Sequence, residues 1–298
     1  SEGKAFSRML FLLCYRCYAS VFCLLFLVFS NNIRAQYIEF AAFGGVASFN
    51  GDINTDNLIA NTDAAFGAFL RYTPHPHFAC RLNFIKANLM ANDRQSDRPD
   101  IKERNFNFIS DLYEFSFLAE CNILPLIPWD KQKVFSPYIG TGVSVFRFNP
   151  MTKYQGEWHA LQPLGTEGQG LSGFAKPYAL TQVAIPLSAG IKYILGQRFS
   201  IALELGYRFT FTDYIDDVSG VYLAPSILQE NGALAVALSN RTEEYTGIPA
   251  NEKIGSRRGN SNTNDAYMIW GISLSVNIAT INVKKASKKQ SFQWNKWL

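Results

Sequence analysis

Between Arg198 and Phe211, seven apolar residues fall on every second position: Phe199, Ile201, Leu203, Leu205, Tyr207, Phe209 and Phe211. They are separated by Ser200, Ala202, Glu204, Gly206, Arg208 and Thr210. Side chains alternate across a strand with period two and recur on a helix near 3.6, so this run can sort its faces only as a strand. A late segment repeats the pattern, with Met268, Trp270, Ile272, Leu274, Val276 and Ile278 against Gly271, Ser273, Ser275 and Asn277. From Tyr178 to Leu195 the apolar set is Val183, Ile185, Leu187, Ala189, Ile191, Tyr193 and Leu195, and Gly196-Gln197 then predicts a tight hairpin. Weaker alternation marks Tyr37 to Phe49, Ala64 to Thr73, Phe78 to Met90, Phe106 to Ile123 and Val134 to Phe148, for eight strands in all.

The connections alternate in length. Pro74 to His77, Leu124 to Lys133 and Gly196-Gln197 are short, while Asn50 to Asp63, Ala91 to Asn105, Asn149 to Pro177 and Thr212 to Asp265 are long. Outer-membrane barrels have short periplasmic turns, long outer loops and an even strand number that leaves both termini on the periplasmic side. The fold class expected is therefore all-β: an eight-stranded antiparallel up-and-down transmembrane β-barrel. A lipocalin-like barrel is the soluble alternative with similar loops. Charged residues are 17% and aromatics 14%, which suits a wall that meets lipid.

Alternation also sorts the charges. Glu39, Glu114, Glu120 and Glu204 fall on inward positions together with Arg71, Arg81, Lys192 and Arg208. Buried charges need partners, and the lumen of eight strands is only wide enough for side chains. A plugged interior with a structural charge network and no conducting pore is predicted.

Residues 1–35 read as a signal peptide, with Lys4, Arg8 and Arg16 ahead of the apolar run Tyr18 to Phe29 and a cleavage site at Ile33-Arg34-Ala35. An uncleaved anchor over Met9 to Phe29 is the competing reading. Residues 36–280 then form the barrel and 281–298 a basic periplasmic tail carrying Lys284, Lys285, Lys288, Lys289 and Lys296. With those two segments set aside, the barrel and its loops carry more acid than base, which argues against a nucleic-acid partner. The expected partner on this reading is outer-membrane lipid.

Chemistry has few footholds. Asp213, Asp216 and Asp217 crowd one loop with calcium-type oxygens, but EF-hand spacing is lacking and such residues commonly cap their own turns, so no metal site is assigned. His75 and His77 flank Pro76 in a turn, and His159 beside Glu157 has no serine nucleophile next to it. Gly165-Thr166-Glu167-Gly168-Gln169-Gly170 lacks the Lys-Ser/Thr ending of a phosphate loop. No catalytic residue and no cofactor is expected. Cys80 opens the third strand and Cys121 closes the fourth, and a hairpin centred near residue 100 sets them opposite one another, where an oxidising compartment permits a disulfide; both are on the apolar face, and two lipid-facing thiols are the other state.

Several segments resemble the PorG family of outer-membrane β-barrels associated with type IX secretion. They are Phe43-Gly44-Gly45 with Asn50-Gly51-Asp52, Phe135-Ser136-Pro137-Tyr138, and Leu161-Gln162-Pro163-Leu164-Gly165-Thr166-Glu167-Gly168-Gln169-Gly170. Leu180-Thr181-Gln182, Ile185-Pro186, Gly206-Tyr207-Arg208, the run Phe211 to Gly220 and Arg258-Gly259-Asn260 extend the similarity over about residues 37 to 278. The resemblance implies a non-enzymatic outer-membrane component that anchors a periplasmic ring of PorK and PorN. The alternative from a binding class is a surface barrel that holds a ligand or host through its long loops. Two departures from the family pattern stand out: a last strand ending at Asn277-Ile278 without a terminal aromatic, and the extra basic tail.

Overall fold

A computed structural model describes residues 36–53, 61–249, 253–282 and 291–294. The signal-peptide and anchor readings fall on 1–35, outside the described residues, as do the lysines of the tail. Eight long strands make the wall: β1 (Gln36–Asn50), β2 (Thr62–His75), β3 (Phe78–Asn92), β4 (Asn107–Asn122), β5 (Phe135–Arg147), β8 (Thr181–Leu195), β9 (Phe199–Thr210) and β10 (Ala266–Asn282). Between β5 and β8 lies a small hairpin, β6 (Pro150–Tyr154) and β7 (Glu157–Ala160). Each wall strand pairs antiparallel with its neighbours, and the β1–β10 ladder closes the sheet into an eight-stranded barrel. Closure leaves the wall no open edge.

The outer face is apolar for a physical reason. Phe66, Phe84, Phe115, Val143, Leu187, Leu203 and Leu274 are all at least half exposed. Leaving such side chains against water costs about 1.5–3 kcal/mol each, so the wall calls for apolar surroundings. Strands satisfy every ladder group internally, which is the condition for sitting in lipid.

Strand boundaries depart from the sequence reading in instructive places. Arg198 lies in the β8–β9 turn rather than in β9, and the turn opens with Gly196 at φ +70°. The last strand runs to Asn282 rather than stopping at Ile278, because the start of β1 offers it a partner, with Gln36 opposite Ile281. A further short strand, β11 (Ser291–Trp294), pairs with Ala279–Asn282 of β10 beyond the point where β9 has turned away. Ser291–Trp294, within the segment read as a basic periplasmic tail, thus extends the sheet.

The long connections are structured. The β3–β4 loop carries α1 (Pro99–Arg104), and the β9–β10 loop carries α2 (Pro225–Leu228), α3 (Ala233–Ser239) and α4 (Thr242–Thr246). Ile53, Phe106, Phe148, Leu161, Ile215, Val218, Tyr222 and Leu238 from four loops join Ala47, Ala65, Leu89, Phe146 and Tyr267 of the strands in one apolar core. The core therefore starts in the outer half of the lumen and continues up into a cap.

Candidate functional site: a plugged lumen beneath a clasped cap

In the half of the lumen nearer the short turns, inward positions of six strands bring six charges together. Arg71 reaches Glu39 at 3.3 Å and Glu120 at 2.9 Å. Arg81 reaches Glu120 at 3.1 Å and grips both oxygens of Glu204 at 2.6 and 2.7 Å. Lys192 approaches Glu120 at 3.5 Å. Arg71 and Arg81 stand directly opposite each other across β2 and β3, an arrangement that repels by itself. Glu120 sits between them and three cations converge on it, which makes it the hub.

The remaining two charges stand apart from the six. Arg208 binds Glu114 through Nε at 3.0 Å and Nη2 at 3.3 Å, and Tyr267 donates its hydroxyl to the same carboxylate at 2.8 Å. Tyr138 donates to Glu204 and Ser200 to Glu39, each at 2.6 Å. The ring of Phe69 lies under both Arg71 and Arg81, 4.8 and 4.7 Å from their guanidinium carbons. Space for Tyr138 comes from Gly190, where a Cβ would lie 2.7 Å from that ring and 2.4 Å from the Leu203 carbonyl. Parity places Tyr138, Ser200 and Tyr267 on inward positions, but nothing in the sequence marks their hydroxyls as partners of the carboxylates.

Above the aromatic layer, two of the cap's buried arginines, Arg104 and Arg258, tie the long loops together, and no periodicity announces them. Arg104 of α1 holds Asp93 through two bonds of 2.8 Å, and donates to the carbonyls of Asp52 at 2.6 Å and Arg258 at 3.1 Å. Arg258 in turn donates to Glu167 at 2.8 Å, to the Ser239 carbonyl at 3.0 Å and to the Asp217 carbonyl. Two residues thus fasten all four long loops. Glu167 also accepts from the amides of Ser219 and Gly220, and Asp217, at φ +65°, accepts from the hydroxyls of Thr166 and Tyr178. The Tyr178 ring stacks between Phe148 and Tyr214.

The carboxylates of this cap are structural acceptors. Asp216 receives the amides of Ile53 and Val218, Asp265 that of Ile215, and Asp52 that of Asn260. Burial pushes Asp213 up to about 7 and Asp217 up to about 6. Asp216 and Asp265 are raised well above the usual range by burial first, with Asp52 adding to Asp216 and Asp216 to Asp265. Among the described residues no group of three His, Cys, Asp or Glu is placed to hold a metal ion.

Cys80 and Cys121 are free thiols. The expected alignment is corrected by the register: Cys80 faces Ala119, and Cys121 faces Phe78. Diagonal neighbours two residues out of register have Cα atoms roughly 7–8 Å apart, beyond the reach of a bridge without backbone movement. At the same end of the barrel the His75 and His77 rings stack, and His77 Nδ1 lies 2.9 Å from the Asn122 carbonyl. His159 and Glu157 sit in β7. The β4–β5 turn is unusually apolar for a surface segment, with Ile123, Leu124 and Trp129 exposed around a fully buried Leu126.

A family model described as a domain of unknown function, DUF6089, matches residues 17–222, more than half of the chain. The chain belongs to the DUF6089 family. No curated protein sequence matches it. Among solved structures, this DUF6089 chain is similar to the N-terminal β-barrel domain of Pseudomonas aeruginosa OprF, at 10% identity and a TM-score of 0.36 over 82% of this chain and 98% of that one. It is likewise similar to neisserial surface protein A, at 10% identity and 0.35 over 81% and 96%. Ail of Yersinia pestis matches at 9% identity and 0.36 over 83% and 99%. The strand count and closure of the DUF6089 barrel rest on its own hydrogen-bond ladders.

Proposed function

We propose that this chain is a non-enzymatic outer-membrane β-barrel that scaffolds a secretion assembly, anchoring a periplasmic ring of the PorK/PorN type as a component of type IX secretion. The observation that carries the scaffold reading is the doubly filled lumen. A charge network occupies the inner half, an aromatic core the outer half, and the clasped cap lies over both. In the pocket beneath the cap, lined by Ile53, Phe106, Asp216, Arg241 and Arg258, the cavity is about 10 Å³, the room of one water. A barrel filled in this way acts through its surfaces rather than through a passage.

The secretion part of the reading is supported by the resemblance. The segments that carry it, Asn50-Gly51-Asp52, Leu161 to Gly170, Phe211 to Gly220 and Arg258-Gly259-Asn260, are those that meet in the cap through Glu167, Asp217, Arg258 and the Asp52–Asn260 bond. The exposed Ile123, Leu124 and Trp129 offer a periplasmic partner an apolar foothold. Co-purification from detergent-solubilised outer membranes tests this directly: ring proteins should accompany the wild type and be lost from Leu124→Ser/Trp129→Ala. Deletion of the gene should block export, and normal secretion without it would remove the proposal.

A second reading, a surface barrel that binds a ligand or host through its loops, is favoured by exposed Trp158, Phe174, Tyr245 and Ile248 on the outer segments. It is distinguished by normal secretion together with loss of surface binding when those residues are replaced.

A further inference from the structure

The outer wall of the eight strands is almost free of charge. Among the described residues, the only charged side chains on its outward positions are Lys86 of β3, Asp111 of β4 and Arg147 of β5, and all three lie in one patch. Every other described outward position of the eight strands is apolar, small or uncharged. A chance scatter of charges on a lipid-facing wall would not gather on three adjacent strands.

Register sharpens the patch. Lys86 lies opposite Tyr113, and Tyr113 opposite Arg147, so the three form one row across the strands. Adjacent strands are about 4.8 Å apart, which puts the two cationic residues within the reach of long side chains on either side of one tyrosine ring. Lys86 Nζ stands 5.5 Å from the centre of that ring. Next to the row on the short-turn side, the exposed apolar columns begin, with Leu82 and Phe84 on β3, Phe115 and Phe117 on β4, and Val143 and Val145 on β5. On each of the three strands the row is thus where the continuous apolar face is first broken by a charged side chain or by the Tyr113 hydroxyl.

The charges there are poorly spent within the chain. Lys86 meets Asp111 only at 3.8 Å, with both side chains more than half exposed, a pair of little strength. Arg147 is exposed and has no ion pair among the described residues. A guanidinium prefers planar, two-point contact with phosphate oxygens, and an ammonium adds a point charge. Two such groups flanking an aromatic ring, directly above a surface made for acyl chains, match an anionic amphiphile and not a soluble anion.

We propose that the Lys86–Tyr113–Arg147 row is a binding site for the phosphate headgroup of an outer-leaflet glycolipid, with its acyl chains lying over Phe84, Phe115 and Val145. Asp111 is the competing internal partner of Lys86 and weakens the site. The inference rests on the membrane orientation given above. Failure of that orientation would show as a protein that stays in the aqueous phase without detergent, whereas failure of the site would leave a detergent-dependent barrel with no preference for phosphate.

The test is retention of lipid by the full chain in detergent micelles, counted by native mass spectrometry. Probes are bis-phosphorylated lipid A, its dephosphorylated form with the same acyl chains, and inorganic phosphate alone. A basic residue near an anionic lipid surface contributes about 1 kcal/mol, so Lys86→Gln and Arg147→Gln should each weaken lipid A binding about fivefold. Asp111→Asn should strengthen it. All three positions face outward and are solvent- or lipid-exposed, so melting of the barrel serves as the control for folding. Equal retention of the dephosphorylated lipid would overturn the site and reduce the cations to snorkelling side chains. Equal occupancy by inorganic phosphate would overturn the lipid assignment, as would Arg147→Gln binding like the wild type.

Discussion

Replacing Glu120 by Gln removes one charge at the point where three cations meet. Arg71 stands 2.9 Å from that carboxylate, Arg81 3.1 Å and Lys192 3.5 Å, and all four side chains are at most 4% exposed. Taking one partner out of a buried ion pair typically costs about 3–5 kcal/mol, because the stranded charge keeps its desolvation cost. Glutamine keeps the shape and some acceptor capacity, so the low end, about 3 kcal/mol, is expected. The readout is urea unfolding in detergent micelles, followed by tryptophan fluorescence, with the slope checked for constancy. Two double variants decide where the loss arises. Glu120→Gln/Lys192→Met restores neutrality and removes a lysine whose ion pair is with Glu120, so it should recover about 1–2 kcal/mol. Glu120→Gln/Arg81→Met restores the same neutrality but strips Glu204 of the arginine that grips it at 2.6 Å, and should fall further. Equal rescue by both would refute the pairwise account in favour of net lumen charge. A loss below about 1 kcal/mol for Glu120→Gln would show that water screens the network.

Other consequences follow from the cap and the wall. Arg258→Met leaves Glu167 and Asp217 without their cation and should release the loops, seen as rapid proteolysis in the segments around 161–180 and 212–265 while the barrel strands stay protected. Raised carboxyl pKa values in the folded cap, about 7 for Asp213 and about 6 for Asp217, mean that the closed form holds protons the open form gives up. Its stability is then greatest near pH 4 and declines as pH rises through 6 to 7, so hydrogen exchange of 213–220 beyond the intrinsic pH effect should quicken over that window. Asp213→Asn should remove the part of the decline that extends above pH 6 toward 7, and a profile that rises with pH would contradict the assignment. Cys80 and Cys121 should give no mass shift on reduction and should both react with a membrane-permeant maleimide; a non-reactive oxidised pair would show that the register has slipped.

Much of the barrel is legible because a wall in lipid imposes period two on every strand. Phe199 to Phe211 reads as a strand without any knowledge of its neighbours, and the inward charges follow from the same parity. What parity cannot give is which charge meets which. Glu114 and Glu120 lie on the same face of β4, yet Glu120 gathers three cations and Glu114 takes Arg208 alone, because barrel shear sets the heights at which side chains meet. The Cys80–Cys121 alignment differs for a related reason: a shift of one residue in the centre of a hairpin moves every partner by two, and the length of the β3–β4 loop does not fix its centre that closely. The helices of the β9–β10 loop escaped notice because α3 is seven residues long and is held by the core it packs on, with Leu238 buried, rather than by its own periodicity.

The cap explains why the informative sequence lies in the loops. A wall strand accepts nearly any apolar residue outward and many small ones inward, so wall sequences can diverge while the fold persists. The clasp accepts little change: Glu167 must accept from two amides and Arg258 at once, and Asp217 must accept from Thr166 and Tyr178 at positive φ. Arg258 has to thread between Ser239 and Asp217 while its own carbonyl receives Arg104. Residues under that many simultaneous constraints can be recognised in another chain, whereas alternating leucines and phenylalanines cannot. Any partner has to be sought separately, on the surfaces that the cap and the short turns present.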